Sequence, residues 1–269
     1  MKTNKKTLVL CGDSFNYGIG CVNLHTQPYG VLTANHFDWD LIRLARGSAS
    51  NYVIHLQGIY AAKMNPKPHL VILGTTSNDR VEWLATGESI EPGHVPKFED
   101  VNYHLYPPHH ESPPLHDAPM DFYLKENTSY TPKILSEQVV AFSDYLNLVK
   151  DGKNTQYYKR LHSESVDKLE LINRYYLEIF DSAIKRDYDT GVIMTAYLRL
   201  KRAGINTIIV SSDIRFSELV FEPRDFFNQD WVRCTKLWPD SVNSMHTGEG
   251  GHEDTANRLI KHIEQHGFI

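Results

Sequence analysis

The chain has 269 residues, 41% of them hydrophobic, and a formal charge of -5 spread along its length rather than collected in blocks. That content allows one sizeable core, and the dispersed acidic balance gives no electrostatic reason to expect nucleic acid or an anionic membrane as a partner. No apolar run approaches the ~20 residues that span a bilayer and no secretory apolar segment precedes the first strand, so a soluble, cytoplasmic chain is expected. Cys11, Cys21 and Cys234 are an odd set without CxxC spacing. They read as packing residues in reducing surroundings, with neither a disulfide framework nor a structural zinc site.

Taken in chain order, "TLVLCG" (7 to 12), "WDLIRLA" (39 to 45), "HLVILG" (69 to 74) and "NTIIVSS" (206 to 212) are short runs rich in Val, Ile and Leu, each followed by turn residues. They predict strands buried on both faces. Between them, "YGVLTANHF" (29 to 37) and "SNYVIHLQGIYAAKM" (50 to 64) have helical spacing, with Tyr52, Leu56, Ile59 and Tyr60 able to share a face. Strand and helix in alternation predict a mainly parallel sheet flanked by helices, with ligands gathering at the carboxyl ends of the strands.

Residues 88 to 133 are Pro, His and Tyr-rich without a steady period, and 136 to 200 turn helical, with "SVDKLELINRYYLEIFDSAIKR" (165 to 186) the clearest run. We read 88 to 200 as an insertion into one domain spanning 1 to 269. Folded over the rim, it would serve as a lid and specificity element. The last element, "DTANRLIKHIEQHG", predicts a helix with Asp254 as N-cap and Gly267 as stop.

The chemistry gathers at strand ends. "LVLCGDSFNYGIG" (8 to 20) runs a buried strand into Gly12-Asp13-Ser14, so Ser14 is either a nucleophile or the cap of the next helix, and Asp13 organises the turn. "ARGSASN", "GTTSND" and "EGGHED" fall at three further ends and can meet Ser14 at one rim. His109, His110 and His116 sit in a Pro-rich, irregular setting without helical spacing or thiolates, so no metal site is expected. "GDSFNYGIG" lacks the G-x-G-x-x-G spacing of a dinucleotide turn, and no cofactor is expected.

"CGDSFNYG", "LARGSAS", "VILGTTSND" and "EGGHED" resemble the four blocks of the SGNH/GDSL hydrolase superfamily. The resemblance is good at both ends of the chain and poor between them. It implies a three-layer α/β/α sandwich with a mainly parallel, flavodoxin-like central sheet and a large central insertion. It also implies a serine esterase with Ser14 as nucleophile, His252 as general base and acid, and Glu249 as the carboxylate that orients it. The oxyanion donors it implies are the N–H groups of Ser14 and Gly47 and the side chain of Asn78.

The chain departs from the family pattern twice. Three residues separate Gly74 from Asn78 where the family has one, which leaves Thr76 at the expected position. Glu249 stands where Asp is usual. His246, with Gly251 five residues on, also resembles part of the family pattern; His252 is taken because an acid lies three residues before it and Asp254 two after it. The expected substrate is a small acyl ester, or an O-acetyl group on a glycan. The rival is a non-catalytic, phage-related module of the same fold, since fold does not fix function.

Overall fold

The computed structural model describes residues 5–46, 49–78, 181–240 and 246–269, with the backbone of 80–81 and 140–141. The chain divides into two units, Met1–Thr76 with Thr190–Ile269, and Ser77–Asp189.

The first unit is built on five strands, β1 (Thr7–Cys11), β2 (Asp40–Arg43), β3 (Leu70–Gly74), β4 (Asn206–Ser211) and β5 (Phe226–Asn228). They lie in the order β2-β1-β3-β4-β5, and every neighbouring pair is parallel. This is the doubly wound, flavodoxin-like order. All five residues of β3 are buried, as are four of the five in β1, which is why these runs read as continuous apolar stretches instead of alternating ones. The fourth predicted strand is β4. β5 was not foreseen, because a three-residue "FFN" between turn residues carries no period.

Helices α1 (Ser14–Tyr17), α2 (Tyr29–His36), α3 (Asn51–Lys63), α4 (Ser182–Arg202), α5 (Ile214–Leu219), α6 (Trp231–Leu237) and α7 (Glu249–Gln265) complete the described elements, apart from one 3₁₀ turn at Pro223–Asp225. Two glycines reveal which face each layer covers. A Cβ at Gly30 in α2 would lie 2.5 Å from Leu10, whereas one at Gly58 in α3 would lie 3.1 Å from Leu73 and 3.0 Å from Ala196 of α4. Leu10 pairs with Ile72, one residue before Leu73. Successive strand residues point to opposite faces, so α2 lies on one face and α3 with α4 on the other. α7 packs on α2. The architecture is the expected α/β/α sandwich.

The second unit follows β3 in the chain and runs into the first turns of α4, and its described backbone includes an antiparallel pair, Arg80–Val81 with Val140–Ala141. The Pro, His and Tyr-rich stretch of 88–133 lies outside the described residues, as does most of the helix expected over 165–186. The helical pattern expected to reach Leu200 ends at Arg202. Among the described residues no helix is long and apolar enough to cross a membrane, and no three His, Cys, Asp or Glu side chains could hold a metal ion together.

One boundary is a correction. The closing helix starts at Glu249 with Gly248 as N-cap, six residues before the expected cap, and Asp254 lies in its second turn, 3.7 Å from Arg258. Gly250 and Gly251 are not a loop. They are helical residues whose missing side chains admit neighbours: a Cβ at Gly250 would lie 2.5 Å from the Trp238 ring, and one at Gly251 would collide with the Thr247 hydroxyl.

Candidate active site

In this sheet the order reverses between β1, whose next strand β2 lies on one side, and β3, which lies on the other. The carboxyl ends of β1 and β3 therefore flank the topological switch point, where doubly wound folds place ligands. Gly12, Asp13 and Ser14 continue from β1, and Thr75 and Thr76 continue from β3.

The opening question about Ser14 has a direct answer. Asp13 is the cap of α1, accepting the Phe15 N–H at 3.0 Å, and Ser14 is the first helical residue, 4% exposed. The Asp13 carboxylate is itself 2% exposed and held from several directions. Its Oδ1 also accepts from Asn16 Nδ2 at 3.0 Å, and its Oδ2 accepts from the Thr76 hydroxyl at 2.7 Å.

α3 ties the turn down from behind. Gln57 accepts from Gly12 N–H at 2.7 Å, while Asn51 accepts from Thr76 N–H and donates to Thr76 O, both at 3.0 Å. Thr76, at the position where the resembled family carries its oxyanion Asn, thus has its hydroxyl committed to Asp13. Gly47 lies outside the described residues. Asn78 is described, but it belongs to the second unit.

The two histidines of the closing segment occupy unlike places. His252 is 0% exposed within α7, on the buried stripe that continues through Thr255, Ala256, Leu259 and Ile263. Its Nδ1 accepts the N–H of Tyr29, the first residue of α2, at 3.4 Å. Pro28, the N-cap of α2, supplies no side-chain cap, so His252 satisfies one of the donors that every helix start leaves open. The ring lies parallel to Tyr29 at 6.1 Å, and 5.8 Å from Trp231.

Burial, with a smaller contribution from the charge of His246, lowers the His252 pKa from 6.5 to about 4, against an opposing contribution from the Ile19 backbone. The ring is therefore neutral at physiological pH. Because Nδ1 is an acceptor, its proton resides on Nε2. In that tautomer neither nitrogen is available to take a proton from Ser14, and no hydrogen bond joins the two residues. Glu249, expected to orient His252, is an exposed residue at the start of α7, and no hydrogen bond or ion pair links it to that ring.

His246 lies instead beside α1. Its ring is 4.9 Å from that of Phe15, the residue after Ser14, and Phe15 in turn stacks on Trp231 at 5.2 Å. A Cβ at Gly20 would lie 3.1 Å from His246 Cβ, a second measure of how closely the α1 turn and this segment approach. Asp240 is brought to His246 by a short antiparallel closure: Pro239 bridges Thr247, Asp240 N–H donates to His246 O at 3.0 Å, and Gly248 N–H donates to Trp238 O at 2.6 Å. The Asp240 carboxylate, nearly fully buried, stands 3.9 Å from His246 Nδ1. Sequence reading missed Asp240, Asn16, Gln57 and Asn51. The Asp240 to His246 spacing was readable, but residues 241–245 between them concealed that the two ends of the segment pair.

No protein-family profile and no curated relative matches the chain. Among solved structures it is similar to a salicylyl-acyltransferase from a tetracycline biosynthetic pathway (12% identity, TM-score 0.38) and to a carbohydrate esterase whose active site has divergent catalytic and non-catalytic binding functions (14%, 0.39). It is also similar to a lipolytic protein of the G-D-S-L family from Desulfitobacterium hafniense DCB-2 (9%, 0.32). The matches cover 100%, 98% and 96% of this chain, and 57%, 66% and 99% of those proteins in the same order, so the chain spans less than two thirds of the first two. With every TM-score below 0.5, they carry no argument about residues or activity.

Proposed function

We propose that this chain is a serine hydrolase that cleaves small carboxylic esters through an acyl-Ser14 intermediate, with His246 as general base and acid and Asp240 as its orienting carboxylate. The observation that carries the reading is the buried Asp240 carboxylate 3.9 Å from Nδ1 of an imidazole that packs on Phe15, next to Ser14 in the chain. A serine hydroxyl is a poor nucleophile until an imidazole accepts its proton, and a carboxylate behind that ring holds the tautomer and stabilises the imidazolium.

In this reading His246 replaces His252, and Asp240 replaces Glu249. Ser14 attacks the ester carbonyl as its proton passes to His246. The Ser14 N–H, at the first position of α1, stabilises the developing oxyanion, with Gly47 N–H as the further donor that the family resemblance implies. His246 then returns the proton to the leaving alkoxide, and a water molecule repeats the sequence to release the acid. Losing one oxyanion donor typically costs ~10²–10³ in rate.

One observation favours the non-catalytic reading. The Ser14 hydroxyl makes no hydrogen bond to His246 or His252, although such bonds are often loose before substrate binds.

The test is hydrolysis of short-chain p-nitrophenyl esters together with labelling by a fluorophosphonate. The expected result is turnover and labelling by the natural protein, with both lost in Ser14→Ala. A natural protein that neither turns over ester nor reacts with the probe contradicts the reading.

A further inference from the structure

Asn16 is the side chain on which the ends of β1 and β3 close, and nothing in the hydrolase reading uses it. It is 0% exposed. A Cβ at Gly12 would collide with it, and so would one at Gly74. Both strand ends thus carry glycine where this one carboxamide passes between them. Such an approach leaves the amide no second rotamer and permits no larger group.

Its orientation is fixed chemically. The end of the amide 3.0 Å from Asp13 Oδ1 is the NH₂ group, which donates to the carboxyl oxygen. The other end is then the oxygen, which accepts the hydroxyl proton of Tyr29 at 2.7 Å. Tyr29 is 0% exposed, and burial holds its phenol protonated well above the ordinary range. A directed chain runs from Tyr29 in α2, through Asn16, to Asp13, where the Thr76 hydroxyl arrives from the β3 end at 2.7 Å. Asp13 in turn caps the helix whose first residue is Ser14.

We propose that Asn16 is a positioning residue for the nucleophile: with Tyr29 behind it, its carboxamide fixes the Asp13 carboxylate, and thereby the backbone and hydroxyl of Ser14. The proposal rests on the hydrolase reading and adds to it an element from outside the reacting groups. Asn16 touches no substrate, so its effect falls on turnover and not on binding. A misplacement of about 1 Å at a reacting centre can cost about 10²-fold in rate.

The experiment compares Asn16→Asp and Tyr29→Phe with the natural protein, using p-nitrophenyl acetate turnover normalised to sites titrated by the fluorophosphonate. Asn16→Asp keeps the shape and replaces the amide donor by a second carboxyl group set against Asp13, which displaces the Asp13 carboxylate. Tyr29→Phe keeps the ring against His252 and Trp231 and removes only the hydroxyl, so it answers the question if the first variant fails to fold. Expected are a kcat loss of about 10²-fold for Asn16→Asp and of several-fold for Tyr29→Phe, with KM within about twofold in both. A kcat per titrated site equal to that of the natural protein in either folded variant overturns the proposal, as does a KM that rises with kcat unchanged. A natural protein that is inert to both probe and ester overturns the hydrolase reading itself, and is told apart because it fails before any variant is compared.

Discussion

His246 and His252 lie six residues apart, yet one stands in a short antiparallel closure beside α1 and the other in the interior of α7. Both are imidazoles near the same aromatic cluster of Phe15, Trp231 and Tyr29. What separates them is the use of their nitrogens. His252 directs Nδ1 at a backbone N–H and is kept neutral by burial, whereas His246 has a carboxylate behind Nδ1. A histidine that caps a helix and one that stands before a carboxylate call for opposite surroundings, and six residues of chain suffice to provide both.

The comparison is broken most sharply at Asp240. Asp240→Asn keeps the size of the side chain while removing the charge that stabilises an imidazolium, and a fall of about 10⁴-fold in kcat is expected from what such carboxylates contribute in serine hydrolases. Steady-state ester kinetics check it, and an unchanged kcat removes Asp240 from the mechanism.

A second effect belongs to His252 alone. Its folded-state pKa lies below its unfolded value, so the unfolded chain binds a proton more readily. The stability tied to the neutral ring is complete above pH 6.5 and is lost progressively as pH falls from 6.5 to about 4. That shift amounts to about 3 kcal/mol. Urea unfolding across this range measures it. His252→Asn, which retains an acceptor for the Tyr29 N–H but cannot ionise, is expected to lack that component of the slope.

The smallest effect is at the glycines that precede the expected helix cap. Gly251→Ala gains about 0.5–1 kcal/mol of helix preference, but it forces a Cβ onto the Thr247 hydroxyl, which donates to Trp238 O at 3.1 Å. Overpacking of this kind costs about 1–3 kcal/mol, so a net destabilisation is expected by thermal unfolding. A stabilised variant would place the glycines outside the packing argument.

These positions also explain what sequence could deliver. β1, β3 and β4 were legible because a parallel strand buried on both faces reads as a near-continuous apolar run, whereas β2, at the sheet edge and only half-buried at Leu41 and Ile42, departs from the burial expected of it; the Gly-Asp-Ser turn was legible because it follows β1 directly. The start of α7 was not. A Gly-Gly pair at a helix start looks like a breaker unless one sees Trp238 and Thr247 filling the space of the missing side chains. With the start misplaced, His252 fell outside the helix and looked like a rim residue. Its place seven residues before Leu259, on the buried stripe, was the signal that could have corrected this. Asp240 and Asn16 were illegible for a different reason, since their partners are fixed by closures between separate segments: Pro239 with Thr247, and β1 with β3.

The account rests on which imidazole serves Ser14. The most direct test is the rate of fluorophosphonate labelling of Ser14 in His246→Asn and in His252→Asn, each compared with the natural protein at pH 8. The account predicts that His246→Asn labels about 10³-fold more slowly or worse, while folded His252→Asn labels within about threefold of the natural rate. Loss of labelling in folded His252→Asn, with His246→Asn unaffected, would contradict it.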